Sequence, residues 1–151
     1  VATVDSFHYA RPDEVHALEE LQRRASMEWE EYHQQLARFP DTVRISVAAV
    51  RDQRVRVAVG GGVILGFSTV MPVERRVSRL EALWVEPEWY GHGVGGALID
   101  DAVAIAADEG IVRLEVVSSE RLAPFYEGVD FCRQEPVDTW FGPAVRMTRE
   151  L

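Results

Sequence analysis

The stretch from Leu80 to Gly110, LEALWVEPEWYGHGVGGALIDDAVAIAADEG, limits the folds open to this chain more than any other. Leu80 to Val85 is apolar and β-compatible apart from Glu81, and Pro87 ends the run because it brings no ladder donor. Gly91, Gly93, Gly95 and Gly96 then fall within six residues. Lacking a Cβ, they reach positive φ and let a ligand come close to the main chain. Val94, Ala97, Leu98, Ala102 and Ile105 recur at helical spacing, and Gly110 fits the residue that stops the helix. A strand, a glycine turn and a long helix in that order aim backbone N–H groups outward at a helix start, where an anion is expected.

Two kinds of fold use such a turn. Gly91, Gly93 and Gly96 match the dinucleotide pattern GxGxxG, and Glu115 lies 19 residues beyond Gly96, near the place of a ribose-binding acid. Yet five residues, Glu86 to Tyr90, separate the strand from the first glycine, whereas the dinucleotide turn follows its strand directly. Glu115 also sits inside the next apolar run, IVRLEVV, rather than at its carboxyl end. The segment WVEPEWYGHGVGGALI instead resembles the acyl-CoA-binding motif of the GNAT superfamily of N-acetyltransferases, written Q/R-x-x-G-x-G/A. Tyr90 stands in the Gln/Arg place, and Gly93 and Gly95 are the paired glycines. Further on, SSERLAPFYEGVDF resembles the second GNAT signature, a short helix that carries Phe-Tyr and ends before Gly-Phe. Phe125 and Tyr126 match it, and Gly128-Val129-Asp130-Phe131 replaces the commoner ending. Where the family often has an Asn touching the pantetheine arm, this chain has Ser118, Ser119 and Glu120.

The remaining elements are read from periodicity and punctuation. Val1 to Tyr9 is expected as a first strand, and Arg11-Pro12-Asp13-Glu14 opens a helix whose buried stripe is Val15, Leu18, Leu21 and Ala25. Arg23 and Arg24 suit its negative end. A second helix around 28–38 carries Trp29, Tyr32, His33 and Leu36 and is broken by Pro40-Asp41-Thr42. Ile45 to Arg51 is open between a strand and a short helix capped by Ser46, with the helix preferred. Val55 to Val59 alternates, Gly60 to Gly62 supply a hairpin turn, and Val63 to Met71 return. Pro72 to Arg79 reads as a polar connection. The strand at 111–117, reached through a helix, implies one parallel pairing. Residues 131–141 and 144–150 read as closing strands separated by Gly142-Pro143. The expectation is a single α/β (α+β) domain over 1–151, a mixed, mostly antiparallel, twisted sheet of roughly six to seven strands flanked by about four helices.

Composition excludes several classes. With 151 residues, 47% of them hydrophobic, the chain has the mass for one core. Sixteen basic against 25 acidic residues, a formal charge of −9, argue against nucleic-acid or anionic-membrane binding. The lone cysteine, Cys132, rules out an internal disulfide, fits a reducing cytoplasm and is expected as a small packed side chain. VATVDSF lacks the pattern of a signal peptide, and the apolar run from Val57 to Phe67 is too short to span a bilayer. No metal-ligand cluster is seen in the spacing.

The resemblance implies acetyl-CoA as cofactor and an amine of a small molecule or peptide as acceptor. The diphosphate would lie on the turn and helix start, Gly91, His92, Gly93, Val94, Gly95, Gly96 and Ala97, with Tyr90 beside it. Pantetheine, an amide chain, would pair along Leu83, Trp84 and Val85 like an added strand, with Ser119 in the Asn role. Tyr126, on the matching position, would give a proton to the departing sulfur. Glu81 would take the amine proton through water; against this, it could instead face solvent or pair with Arg79 or Arg113. Tyr126 has its own rival role as a core tyrosine beside Phe125. In the family the region of Trp29 and Tyr32 forms one wall of the acceptor site, against which stands ordinary core packing. His33 is read as a solvated or packed side chain. A homodimer is common in the family, and no residue here specifies one. Two rival functions stay open: a non-catalytic acyl-CoA-binding module on the same fold, and a dinucleotide-dependent oxidoreductase.

Overall fold

The computed structural model describes residues 3–39, 41 and 43–151, the side chains at 30, 31, 34 and 35 excepted. The readings of Val1 as part of a strand and of Pro40 and Thr42 as breakers lie outside the described residues. Seven strands are hydrogen-bonded in one sheet: β1 (Ser6–Tyr9), β2 (Val55–Gly60), β3 (Val63–Glu74), β4 (Val77–Val85), β5 (Arg113–Ser119), β6 (Cys132–Thr139) and β7 (Gly142–Glu150). Their order is β1-β2-β3-β4-β5-β7-β6. The helices are α1 (Val15–Ser26), α2 (Glu30–Arg38), α3 (Val47–Arg51), α4 (Val94–Asp108) and α5 (Ala123–Glu127). No described helix is long and apolar enough to cross a membrane. Two compact units are distinguishable, Val1–Thr69 with Ala82–Leu98, and Val70–Glu81 with Ile99–Leu151.

In the first unit β1, β2 and β3 form an antiparallel meander, Ser6 facing Val59 and Val55 facing Thr69. Helix α1 begins through a 3-10 turn at Pro12–Glu14, where proline suits a first turn. It buries Leu18, Leu21 and Ala25 as its stripe requires. Glu14 ties this entry together: its carboxylate accepts the Arg11 N–H (2.9 Å) and meets the His8 ring at 2.9 Å. The short segment after Ile45 is a helix, α3, and Ser46 Oγ accepts the Ala49 N–H as its cap (3.1 Å). A core of Ala58, Leu65, Val94 and Leu98 receives Val4, Phe7, Leu83, Val85 and Trp89.

In the second unit β5 pairs antiparallel with β7, Arg113 facing Glu150 and Ser119 facing Ala144, and β7 pairs with β6. The crossover implied by the sequence is present: β4 and β5 are parallel, with Val77 opposite Arg113. That ladder closes at Arg79 opposite Glu115, while β5 runs on to Ser119. Glu115, only 8% exposed, is neutralised on both oxygens, Arg79 donating to Oε1 (2.9 Å) and Arg146 to Oε2 (3.2 Å). A buried carboxylate is tolerable only with such partners.

Three expectations are corrected. Pro72 to Arg79 is not a connection: β3 runs to Glu74, β4 starts at Val77, and Arg76 makes the turn at φ 61°. Residues 72–76 are exposed, so their charges cost nothing in an extended strand end. Gly142 and Pro143 do not separate the last strands; they begin β7, and Trp140 and Phe141 form the turn. Thr139 Oγ1 donates to the Gly142 carbonyl across it (2.6 Å). Pro143 is tolerated because β5 reaches only as far as its partner Ala144. Cys132 is exposed rather than packed, since it opens β6, a sheet-edge strand whose side chains are mostly solvated.

Candidate functional site

The first unit brings together most of the residues singled out by the motif. At the end of β4 the Glu86 N–H donates to the Leu65 carbonyl (2.8 Å), and Pro87–Trp89 makes a single 3-10 turn. Gly91 and Gly93 take φ of 78° and 85°, which only glycine adopts without strain. A Cβ built on Gly91, Gly93 or Gly96 would meet nothing within 4 Å, so all three face open space. Helix α4 starts its ladder with the Ala97 N–H on the Gly93 carbonyl (3.0 Å). The amides of Gly93, Val94, Gly95 and Gly96 precede that first bond and are the unladdered donors of a helix start. Val94 itself is buried and anchors the turn to the core with Leu98. The His92 ring folds back, Nδ1 donating to the Tyr90 carbonyl (2.9 Å), with its edge against Trp89.

Leu83 and Val85 pack on the cluster of Ala58, Leu65, Val94 and Leu98, and Trp84 between them sends its ring to Tyr32, 5.8 Å away edge-on. Gly66 on β3 is needed here, because a Cβ on it would lie 2.7 Å from the Trp84 carbonyl and 3.1 Å from Leu98. A glycine inside a strand is the available sequence signal for such an approach.

Tyr90, in the motif's Gln/Arg place, turns toward α1 rather than over the glycines. Its ring stacks on Trp29 (6.3 Å), and its hydroxyl donates weakly to the Ala25 carbonyl (3.5 Å). Burial, then the nearby Glu28 and Glu86 charges, push its phenol pKa up, so it remains a neutral donor. Beside it, Arg24 forks onto Glu86 through two bonds of 2.7 and 2.8 Å, and this contact holds the guanidinium pKa above its ordinary value. The pairing of residues 62 apart has no local signal in the sequence. His33 is exposed, its Nε2 donating to the Met27 carbonyl.

The second unit carries Glu81, Ser119 and Tyr126. Glu81 is exposed on β4, and the two arginines that could have claimed it are turned elsewhere, Arg79 to Glu115 and Arg113 to Glu150. Ser119 ends β5, its Oγ accepting the Leu122 N–H (3.4 Å) at the entry to α5. Its own hydroxyl proton is not used by that bond. Tyr126 is 6% exposed and lies between Phe125 and Phe131, edge-on to both at 5.1 and 5.5 Å.

The family model of the acetyltransferase (GNAT) family matches residues 15–131. A glucosamine 6-phosphate N-acetyltransferase of Trypanosoma brucei brucei is 38% identical over 61 residues, 40% of this chain and 42% of that protein. The match thus spans less than half the length of that relative. Among solved structures, a GCN5-related N-acetyltransferase from Rhodopseudomonas palustris superimposes with a TM-score of 0.79 at 21% identity, covering 100% of this chain and 98% of the other. The PaiA N-acetyltransferase of Thermoplasma acidophilum, in complex with coenzyme A, gives 0.76 at 16% identity, covering 97% and 98%. The structural likenesses establish the fold, and the family model, covering most of the sequence, establishes kinship. This chain belongs to the acetyltransferase (GNAT) family.

Proposed function

We propose that residues 1–151 act as one acyltransferase domain that moves an acetyl group from acetyl-CoA directly to a primary amine of a small molecule or peptide. The observation that carries this reading is the open glycine turn. Gly91 and Gly93 at positive φ, and free space where a Cβ on Gly93 or Gly96 would stand, fit a diphosphate against the amides of 93–96. Binding through main-chain donors needs no side-chain ordering, so Tyr90 can leave the Gln/Arg role without emptying the site. When bound, acetyl-CoA supplies the acetyl group activated as a thioester.

The chain's own residues then have separable tasks. The backbone of Leu83 and Val85 would align the pantetheine arm, and Ser119 would offer its hydroxyl to it. An alkylamine has a pKa of about 10, so near neutral pH only about one molecule in a thousand is unprotonated. Glu81, exposed and uncommitted to Arg79 or Arg113, would take that proton, through water where the amine stays distant. Tyr126 would hold the phenolic proton that the departing sulfur requires. The free thiol of Cys132 suits a reducing compartment, and we place the enzyme in the cytoplasm.

A thiol-release screen of varied amines with acetyl-CoA tests the reading. Release that depends on an amine supports it. Tight coenzyme A binding with no release across the panel would favour a non-catalytic module, and protection by NADH but not by coenzyme A would favour the dinucleotide alternative.

A further inference from the structure

We propose that Trp29, Tyr32, Trp84 and Tyr90 form an aromatic wall that selects, as acceptor, a primary amine carrying a planar aromatic group, an aralkylamine. The proposal rests on the acetyl-transfer reading above and adds the acceptor class to it. The Tyr32 N–H donates to the Trp29 carbonyl (3.0 Å), so Trp29, just before α2, and Tyr32 in its first turn are one turn of chain apart. Each then meets one ring from the β4 end of the unit: Trp29 stacks on Tyr90 at 6.3 Å, and Tyr32 stands edge-on to Trp84 at 5.8 Å. Two ring pairs thus hang from one turn of chain, and none of the four rings is fully buried.

The position of the wall suits an acceptor rather than the cofactor. Leu83 and Val85 pack on the core cluster that includes Val94 and Leu98 of α4, the helix whose start carries the glycine turn. Trp84, between them, points the other way, to Tyr32. An amine that meets the acetyl group from that side slides along aromatic faces. Its charge is matched as well: Glu28 is exposed and close enough to influence the Tyr90 phenol, which favours an approaching ammonium. Arg24, at this end of α1, is already forked onto Glu86, and Arg23 beside it is paired with Glu20, which makes the wall a poor seat for an acceptor phosphate such as the trypanosomal relative's name implies for that protein.

The test compares 2-phenylethylamine with 2-cyclohexylethylamine, equal in size but not planar, and with glucosamine 6-phosphate, all at saturating acetyl-CoA. The aromatic amine should show kcat/KM about tenfold above either comparator. Trp29→Leu should erase that ratio and Trp29→Phe should restore most of it, with coenzyme A affinity by calorimetry unchanged in both. Equal rates for the planar and non-planar amines, preference for the phosphosugar, or a ratio that survives Trp29→Leu would overturn the wall while leaving acetyl transfer intact. If no amine is acetylated, acetyl transfer fails, and calorimetry decides the wall separately: 2-phenylethylamine that binds the wild type but not Trp29→Leu upholds it, and no binding overturns it.

Discussion

Tyr126 and Glu81 sit in opposite environments, and their proposed tasks follow from that contrast. A phenol packed between Phe125 and Phe131 is held in one orientation, as a proton donor to a single leaving atom should be. Tyr126→Phe removes only that oxygen, so turnover should fall by about a hundredfold with coenzyme A affinity little changed. Steady-state kinetics beside calorimetry would show it, and unchanged turnover would return Tyr126 to the core. Glu81 is exposed, where water can reach it and relay a proton from an amine. Glu81→Gln should flatten the acidic limb of the pH–rate profile; an intact limb would mean that another group takes the amine proton. Glu14 offers a stability test of the same kind. Burial pushes its carboxyl up, but the Arg11 N–H, His8 and the Arg11 guanidinium outweigh burial and hold it below its ordinary value. A carboxyl depressed in the folded state stabilises above its unfolded pKa, and that stability is lost as pH falls through the folded value. Glu14→Gln should therefore cost about 1 kcal/mol near neutral pH. The gap in urea midpoints should shrink as the pH is taken down to about 3, and a constant gap would contradict it.

At the scale of elements, legibility followed the range of the signal. The β4, glycine turn and α4 series was plain because its cues are local: an apolar run, glycines at positive φ, a 3.6 period, and Gly110 at φ 82° as the stop. Ser46 announced α3 for the same reason. Pro72, Glu74, Arg75 and Arg76 misled because charge and proline mark exposure, and an exposed strand end carries both as readily as a loop does. Trp140 and Phe141 were hidden as a turn by their hydrophobicity, while Gly142, at φ 116°, went into the strand beside them. The links from α1 to the glycine turn could not be read at all, since Arg24 looked like a helix-end cation until Glu86 stood opposite it. That ion pair should set the turn more than it stabilises the fold. Arg24→Ala is expected to cost at most about 1 kcal/mol of unfolding free energy, the range for a half-exposed pair. It should nonetheless weaken coenzyme A binding by about threefold or more, the scale of a lost bidentate contact. Exchanging the charges, Arg24→Glu with Glu86→Arg, should recover most of the affinity; a double variant no better than the single would remove the pair from this role.

For the molecule as a whole, composition bounded the class without naming the reaction. A formal charge of −9 turned attention away from nucleic acids, and the length allowed one core. The seven-stranded mixed sheet with its parallel β4–β5 pair matched the expected architecture, because alternating strands and one helical crossover leave few other topologies. The acceptor was not legible in this way, since its candidate wall is assembled from α2, β4 and the turn, which only folding brings together. The central claim is that coenzyme A rests its diphosphate on the amides at the start of α4, and Gly96→Leu tests it most directly. A leucine there replaces glycine in a helix and should raise stability, by up to about 0.8 kcal/mol. The same side chain would stand in the open space above the turn. Calorimetry should find coenzyme A bound to the wild type and at least about tenfold weaker binding to a Gly96→Leu protein that melts at or above the wild-type temperature. Equal affinity in the two proteins, or no binding to the wild type, would contradict the claim.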